Sequence, residues 1–173
     1  MRVILLVSAF IGAIALLNAP ARAQAPAAAP APVPDVMPFD IPFGPPIGVE
    51  RAKLVAAAAI AEAKKRNWKM VVAIVEPSGD LVYFEKMDGT QYASIRIAPG
   101  KAKAAAMFRR PTKVFMDLVN GGQPYVLGLE GAVTSEGGLP IVADGKLIGA
   151  IGVSGGTSAQ DGVIAKAGTD TVK

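Results

Sequence analysis

Neither cysteine nor histidine occurs anywhere in the 173 residues. Without cysteine there is no disulfide to staple the fold, so stability has to come from burial. Without histidine the chain lacks the commonest metal-ligating side chain and the one whose proton exchange is centred near neutral pH. Serine–histidine catalysis and histidine-held prosthetic groups are thereby excluded. Aromatic residues are scarce, at 6%. There is no long basic run either: 18 Lys+Arg are interspersed among 14 Asp+Glu, for a formal charge of +4, a pattern that points away from a nucleic-acid partner.

What is present first bears on destination. Arg2, an apolar run from Val3 to Leu17 interrupted only by Ser8 and Gly12, and the small-x-small triplet Ala21-Arg22-Ala23 make up the pattern of a signal peptide over residues 1–23. The run is shorter than the roughly 20 residues a membrane-spanning helix needs. Export with cleavage, leaving no stable membrane span, is therefore the expectation, and it assigns the protein to the periplasm or the exterior. Loss of Arg2 and Arg22 takes Lys+Arg from 18 to 16 against 14 acids, a net charge of about +2. Residues 24–48, "QAPAAAPAPVPDVMPFDIPFGPPIG", hold 8 of the 14 prolines and predict an extended linker or arm. Within it Met37, Phe39, Ile41 and Phe43 alternate with Pro38, Asp40 and Pro42. That pattern suits docking along a neighbouring subunit, and a spacer equally.

Residues 49–173 have the size of one domain with a single core. "ERAKLVAAAAIAEAKKRN" predicts a helix whose apolar stripe includes Leu54, Ala58 and Ala61. "MVVAIVEPSGDLVYFEK" predicts a β-hairpin around Pro77-Ser78-Gly79-Asp80. A helix is expected over Ser94 to Arg109 with Ser94 at its cap, its regular part starting only at Pro99-Gly100. A short helix from Thr112, as cap, to Asn120 follows, ended by Gly121-Gly122.

"GGLPIVADGKLIGAIGVSGG" predicts two strands joined by an Asp144-Gly145 turn. Gly149 and Gly152 within the second strand call for a close approach by a packed helix or a ligand, and room for a guest or a neighbouring subunit beside this hairpin is expected. After Gly155-Gly156, Ser158-x-x-Asp161 has capping-box spacing ahead of a last helix. A glycine-led helix start exposes N–H groups that attract anions. Asp161 already supplies a negative charge there, so the junction is read first as cap and turn. "GVSGGTS" lacks the spacing of a phosphate-binding P-loop.

These stretches, together with "IAPGKAKAAAMF", resemble the GlcG/HbpS family, which includes the C-terminal domain of PduO-type proteins; the similarity spans nearly all of residues 50–168. The resemblance implies an α/β (α+β) fold, a profilin-like or PAS-like antiparallel sheet with helices packed on it. It also implies a homo-oligomer, and haem or a related tetrapyrrole as the small-molecule ligand. One branch of the family is a haem-responsive accessory to an extracellular sensor protein, and the family occurs with glycolate metabolism.

With no histidine, the side chains left to face haem iron are Met87, Met107, Met116, Tyr92, Tyr125 and Lys101. Propionates are matched by Lys101, Lys103, Arg109 or Arg110. Among the carboxylates Glu76, Asp80, Glu85, Asp88, Glu130 and Glu136, only Glu136, beside Gly137-Gly138, falls at an expected pocket rim, and it is the one candidate for catalysis. The ligand-contacting set is accordingly Lys101, Met107, Arg109, Ser135, Glu136, Gly137, Gly138, Gly155 and Gly156, with no metal site. Three function classes remain open: a small-molecule-binding module, an enzyme acting on a small acid, and an oligomeric scaffold or sensor accessory.

Overall fold

In the computed structural model, which describes residues 33–172, the first helix, α1, runs Val49–Lys65. Alanine is its dominant residue, so periodicity alone defines two competing apolar faces. The packed one carries Ala52, Val55, Ala56, Ala59, Ile60 and Ala63. Leu54, expected in the stripe, is 68% exposed; the branched side chains Val55 and Ile60 choose the face because they bury more apolar area than alanine. Strands β1 (Val71–Val75) and β2 (Leu81–Lys86) form the expected hairpin. Gly79, at φ +89°, closes its turn by donating to the Glu76 carbonyl at 2.9 Å.

Helix α2 spans Ser94–Met107, so regular helix begins five residues ahead of Pro99 and not at it. Ser94, Ala98, Lys101, Ala102, Ala104, Ala105 and Ala106 are all buried along it, and that packing outweighs the hydrogen bond which proline cannot donate. Ser94 does not cap. It is the first helical residue, and its hydroxyl accepts hydrogen bonds from Ser154 Oγ and Gln91 Nε2. Helix α3 (Lys113–Asn120) leads through a 3₁₀ turn at Pro124–Gly128 to strands β3 (Gly138–Ala143) and β4 (Lys146–Ser154). Asp144 and Gly145, at φ +50° and +71°, make the tight turn between them. Helix α4 (Ser158–Thr169) ends the domain. Its capping box is one residue earlier than the spacing suggested: the Thr157 hydroxyl accepts from Gln160 N–H and the Gln160 side chain accepts from Thr157 N–H.

The sheet order is β2-β1-β4-β3, antiparallel throughout, which is the α+β arrangement that the family resemblance implies. One face, with Val72, Ile74, Ile151 and Val153, packs against α1 and α4. The other, with Val71, Ala73, Val75 and Ala150, is covered by α2. Because β1 ends at Val75 opposite Ala150, the adjoining edge of β4 is left for residues 42–47. Leu147 N–H donates to the Pro42 carbonyl, and Gly44 and Ile47 N–H donate to Leu147 and Ile148 carbonyls at 2.7–2.8 Å. This part of the proline-rich segment therefore lies on its own protomer. The predicted signal peptide and residues 24–32 lie outside the described residues.

Candidate functional site

The space beside the glycine-bearing strand is filled from within. A Cβ at Gly152 would collide with the Ala98 carbonyl of α2, and one at Gly149 with the Val75 carbonyl and Ile47. The packed helix holds at Gly152, strand β1 and Ile47 take its place at Gly149, and the expectation of room for a guest there is overturned. Backbone-to-backbone approach this close requires residues without a Cβ.

Seven of the nine sequence-proposed site residues meet in a buried polar knot beside that strand. Lys101, 1% exposed, projects from the inner face of α2. Its Nζ donates to Asp161 Oδ2 at 2.7 Å and to the Glu136 carbonyl at 2.6 Å. The other carboxylate oxygen, Asp161 Oδ1, accepts from Gly156 N–H at 3.0 Å. The glycine junction thus does hold an anion, and the anion is the chain's own Asp161. Burial pushes the Asp161 carboxyl above the usual range, against the opposing pull of Lys101 and the Gly155 and Gly156 amides.

The loop before β3 threads through the same knot. Gly137, at φ +119°, passes so close to Val153, Asp161 and Lys101 that a Cβ would come within 2.7–3.0 Å of each, and Gly138 abuts the Lys101 carbonyl. Thr112 takes the position before α3 but caps nothing. Its hydroxyl donates to the Ser135 carbonyl at 2.6 Å and accepts from Gly138 N–H at 3.0 Å, because the loop leading into β3 offers better partners than the helix end. Ser135 and Ser158 hydroxyls lie 2.9 Å apart. The half-buried Glu136 carboxylate rests on Gly162 of α4. Every buried side-chain polar atom among the described residues has a partner, so the knot is internally satisfied and works as a clasp joining α2, α3, β3, β4 and α4.

Met107 and Arg109 lie apart from the clasp. Arg109 adopts φ +53° and donates to Asp40 Oδ1 at 3.2 Å and the Ile41 carbonyl at 3.0 Å, its guanidinium 5.4 Å from the Phe43 ring. Arg110 stacks on Phe39 at 4.2 Å. Both arginines are thus engaged by residues 39–43. Met107 is 55% exposed and, with Lys103, Glu130 and Gly131, lines a cavity of about 490 Å³. Lys103 precedes Met107 by one helical turn, its alkyl stem lying over Gly79. No carboxylate among the described residues pairs with its ammonium.

A second cavity, about 360 Å³, is walled by Lys64, Lys69, Glu85, Lys86, Met87 and Asp88. Met87 there packs partly against the core. Tyr92 is 85% exposed with Lys86 Nζ 5.9 Å from its ring centre, Tyr125 is 64% exposed, and Met116 is half-buried. Glu76 and Asp80 both accept from Ser78 Oγ in the hairpin turn, and Glu85 accepts from Tyr83 OH at 3.0 Å. No group of three acidic residues suited to a metal ion occurs among the described residues, and no helix there is long and apolar enough to cross a membrane.

A family model described as "Haem degrading protein HbpS-like" matches residues 47–170, the span from the β4-edge contact to the end of α4. The chain belongs to the HbpS-like family. It is 39% identical over 105 residues to protein GlcG of Escherichia coli K12, covering 61% of this chain and 78% of GlcG. Among solved structures, the Streptomyces reticuli HbpS double mutant is 27% identical with a TM-score of 0.69, over 84% of this chain and 99% of that one. The structure titled PduOC:Heme Complex is 28% identical with a TM-score of 0.67, over 74% and 96%.

In this HbpS-like chain the clasp is the feature least visible in the sequence. Asp161 read as a helix cap, and "KAKAAA" presents Lys101 and Lys103 as equivalents. The spacing of Ala98, Lys101, Ala102 and Ala105 does place Lys101 on the apolar stripe, and that was the available signal. The pairing with a carboxylate 60 residues away leaves no mark in the sequence.

Proposed function

We propose that this HbpS-like protein binds haem or a related tetrapyrrole, at the outer face of α2. The observation that carries the reading is the cavity of about 490 Å³ at which an exposed thioether, Met107, and an unpaired ammonium, Lys103, stand one turn apart. That volume falls in the range of small-molecule sites, roughly 300–1,000 Å³. The residues fit the group: methionine sulfur is an established haem-iron ligand, and Lys103 matches a propionate. Met107 would hold the iron and Lys103 a carboxylate, while bound haem itself would supply redox chemistry. The family model's haem description and the haem complex of the PduOC neighbour support the same reading.

Arg109 is assigned no ligand contact, being engaged by Asp40, and the buried Lys101 and Asp161 are assigned to holding the clasp. The protein is further proposed to be exported to the periplasm or exterior after cleavage near Gln24, as residues 1–23 predict, and to work as a homo-oligomer. Exposed Tyr125, Leu127 and Leu129 beside the 3₁₀ turn supply apolar surface for subunit contacts.

Titrating the mature protein with haem, beside an unrelated apolar dye, tests the function. A saturable Soret band whose position shifts in Met107→Ala supports it; equal, featureless uptake of haem and dye refutes it. The mass of the chain recovered from the periplasmic fraction tests export, and sedimentation tests the subunit number.

A further inference from the structure

Gly100 stands in the middle of α2, where glycine weakens a helix relative to alanine. At Gly138 and Gly152 a glycine answers to a neighbour, since a Cβ there would strike α2 backbone, and at the turn glycines Gly89, Gly122, Gly131 and Gly145 it answers to a positive φ. At Gly100 a Cβ would meet no heavy atom within 4 Å. Nothing inside the protomer therefore calls for a bare backbone at this position. Lys103 and Met107 follow it by three and seven residues, which in an α-helix is the same face. They are the two α2 side chains that line the cavity of about 490 Å³.

We infer that Gly100 is the seat of a planar ligand, the place where the flat face of a tetrapyrrole ring lies directly on the helix backbone and where any side chain would hold it off. The inference rests on the haem reading above and adds the residue that selects for flatness. A flat, carboxylate-bearing ring is the occupant that suits this face. It needs close approach at Gly100, offers an anion to the unpaired Lys103 ammonium, and presents an apolar surface to Met107.

Full-length Gly100→Ala and Gly100→Leu proteins, each titrated with haem and with metal-free protoporphyrin, test this; the metal-free ring reads contact without ligation. Because the helix gains a better former and the space is open, Gly100→Ala is expected to melt about 2–4 °C higher than wild type. Gly100→Leu is expected to stay folded and to bind both rings about tenfold or more weakly. Wild-type affinity for both rings in Gly100→Leu overturns the seat while leaving haem binding standing. A changed sedimentation mass in Gly100→Leu with unchanged ring affinity also overturns it, since the glycine then serves a contact between copies. Absence of haem binding by the wild type overturns the seat and the functional reading together.

Discussion

The inner and outer faces of α2 each carry a lysine, and the two lysines end in opposite states. Lys101 on the inner face is 1% exposed and held by Asp161 and the Glu136 carbonyl. Lys103, two residues on, is exposed and without a carboxylate partner among the described residues, at the mouth of a cavity. The glycines differ in the same way: those under the helix are crowded on their Cβ side by backbone, and Gly100 on top of it faces open space. A polar group that satisfies its neighbours closes a fold, and the same group left unsatisfied at a surface is available to a ligand.

The largest expected effect breaks the closed side. Lys101→Ala leaves Asp161 buried without its cation and is expected to cost about 3–5 kcal/mol, read from urea unfolding. An unfolding midpoint within error of wild type would mean that water enters and solvates the carboxylate. Next, Gly152→Ala forces backbone apart where α2 crosses β4 and is expected to cost about 1–3 kcal/mol, again by urea unfolding.

A smaller effect concerns pH. The Asp161 carboxyl titrates above its unfolded value because of burial, so its stabilising contribution is complete below about pH 3.9 and is lost as pH rises through the higher folded value. The stability advantage of wild type over Asp161→Asn should therefore shrink as the pH is raised from that acidic limit towards 7. An advantage that grows over this window would show the carboxyl lowered, with Lys101 outweighing burial. Smallest in stability are Met107→Ala and Lys103→Gln on the open side, each expected within about 0.5 kcal/mol of wild type. Their effect should appear in the haem spectrum and affinity instead, which is the contrast between the faces in its sharpest form.

Much of the fold is legible along the chain. Two hairpins, the Asp144-Gly145 turn and four helices follow from period, turn residues and composition. The misplaced details share a cause. Leu54 against Val55, Ser158 against Thr157 as cap, and Ser94 as cap against Ser94 as a buried hydroxyl are choices between near-equal local options, which distant contacts decide. Site residues divide in the same way. Met107 and Lys103 could be named from their chemistry, whereas the removal of Lys101 to the interior and of Arg109 to residues 40–41 depends on what folds against them.

By itself, the sequence determined the chemistry available to haem iron: with no histidine or cysteine, the candidates that remain are thioether, phenolate and amine groups. It also determined the order of elements, because hydrophobic period and turn geometry act over a few residues. The tertiary structure alone decided which lysine is buried, which glycines are crowded and that Asp161 is the anion in the glycine junction. Those outcomes depend on groups tens of residues apart meeting in a space that excludes water, and no local pattern carries that information.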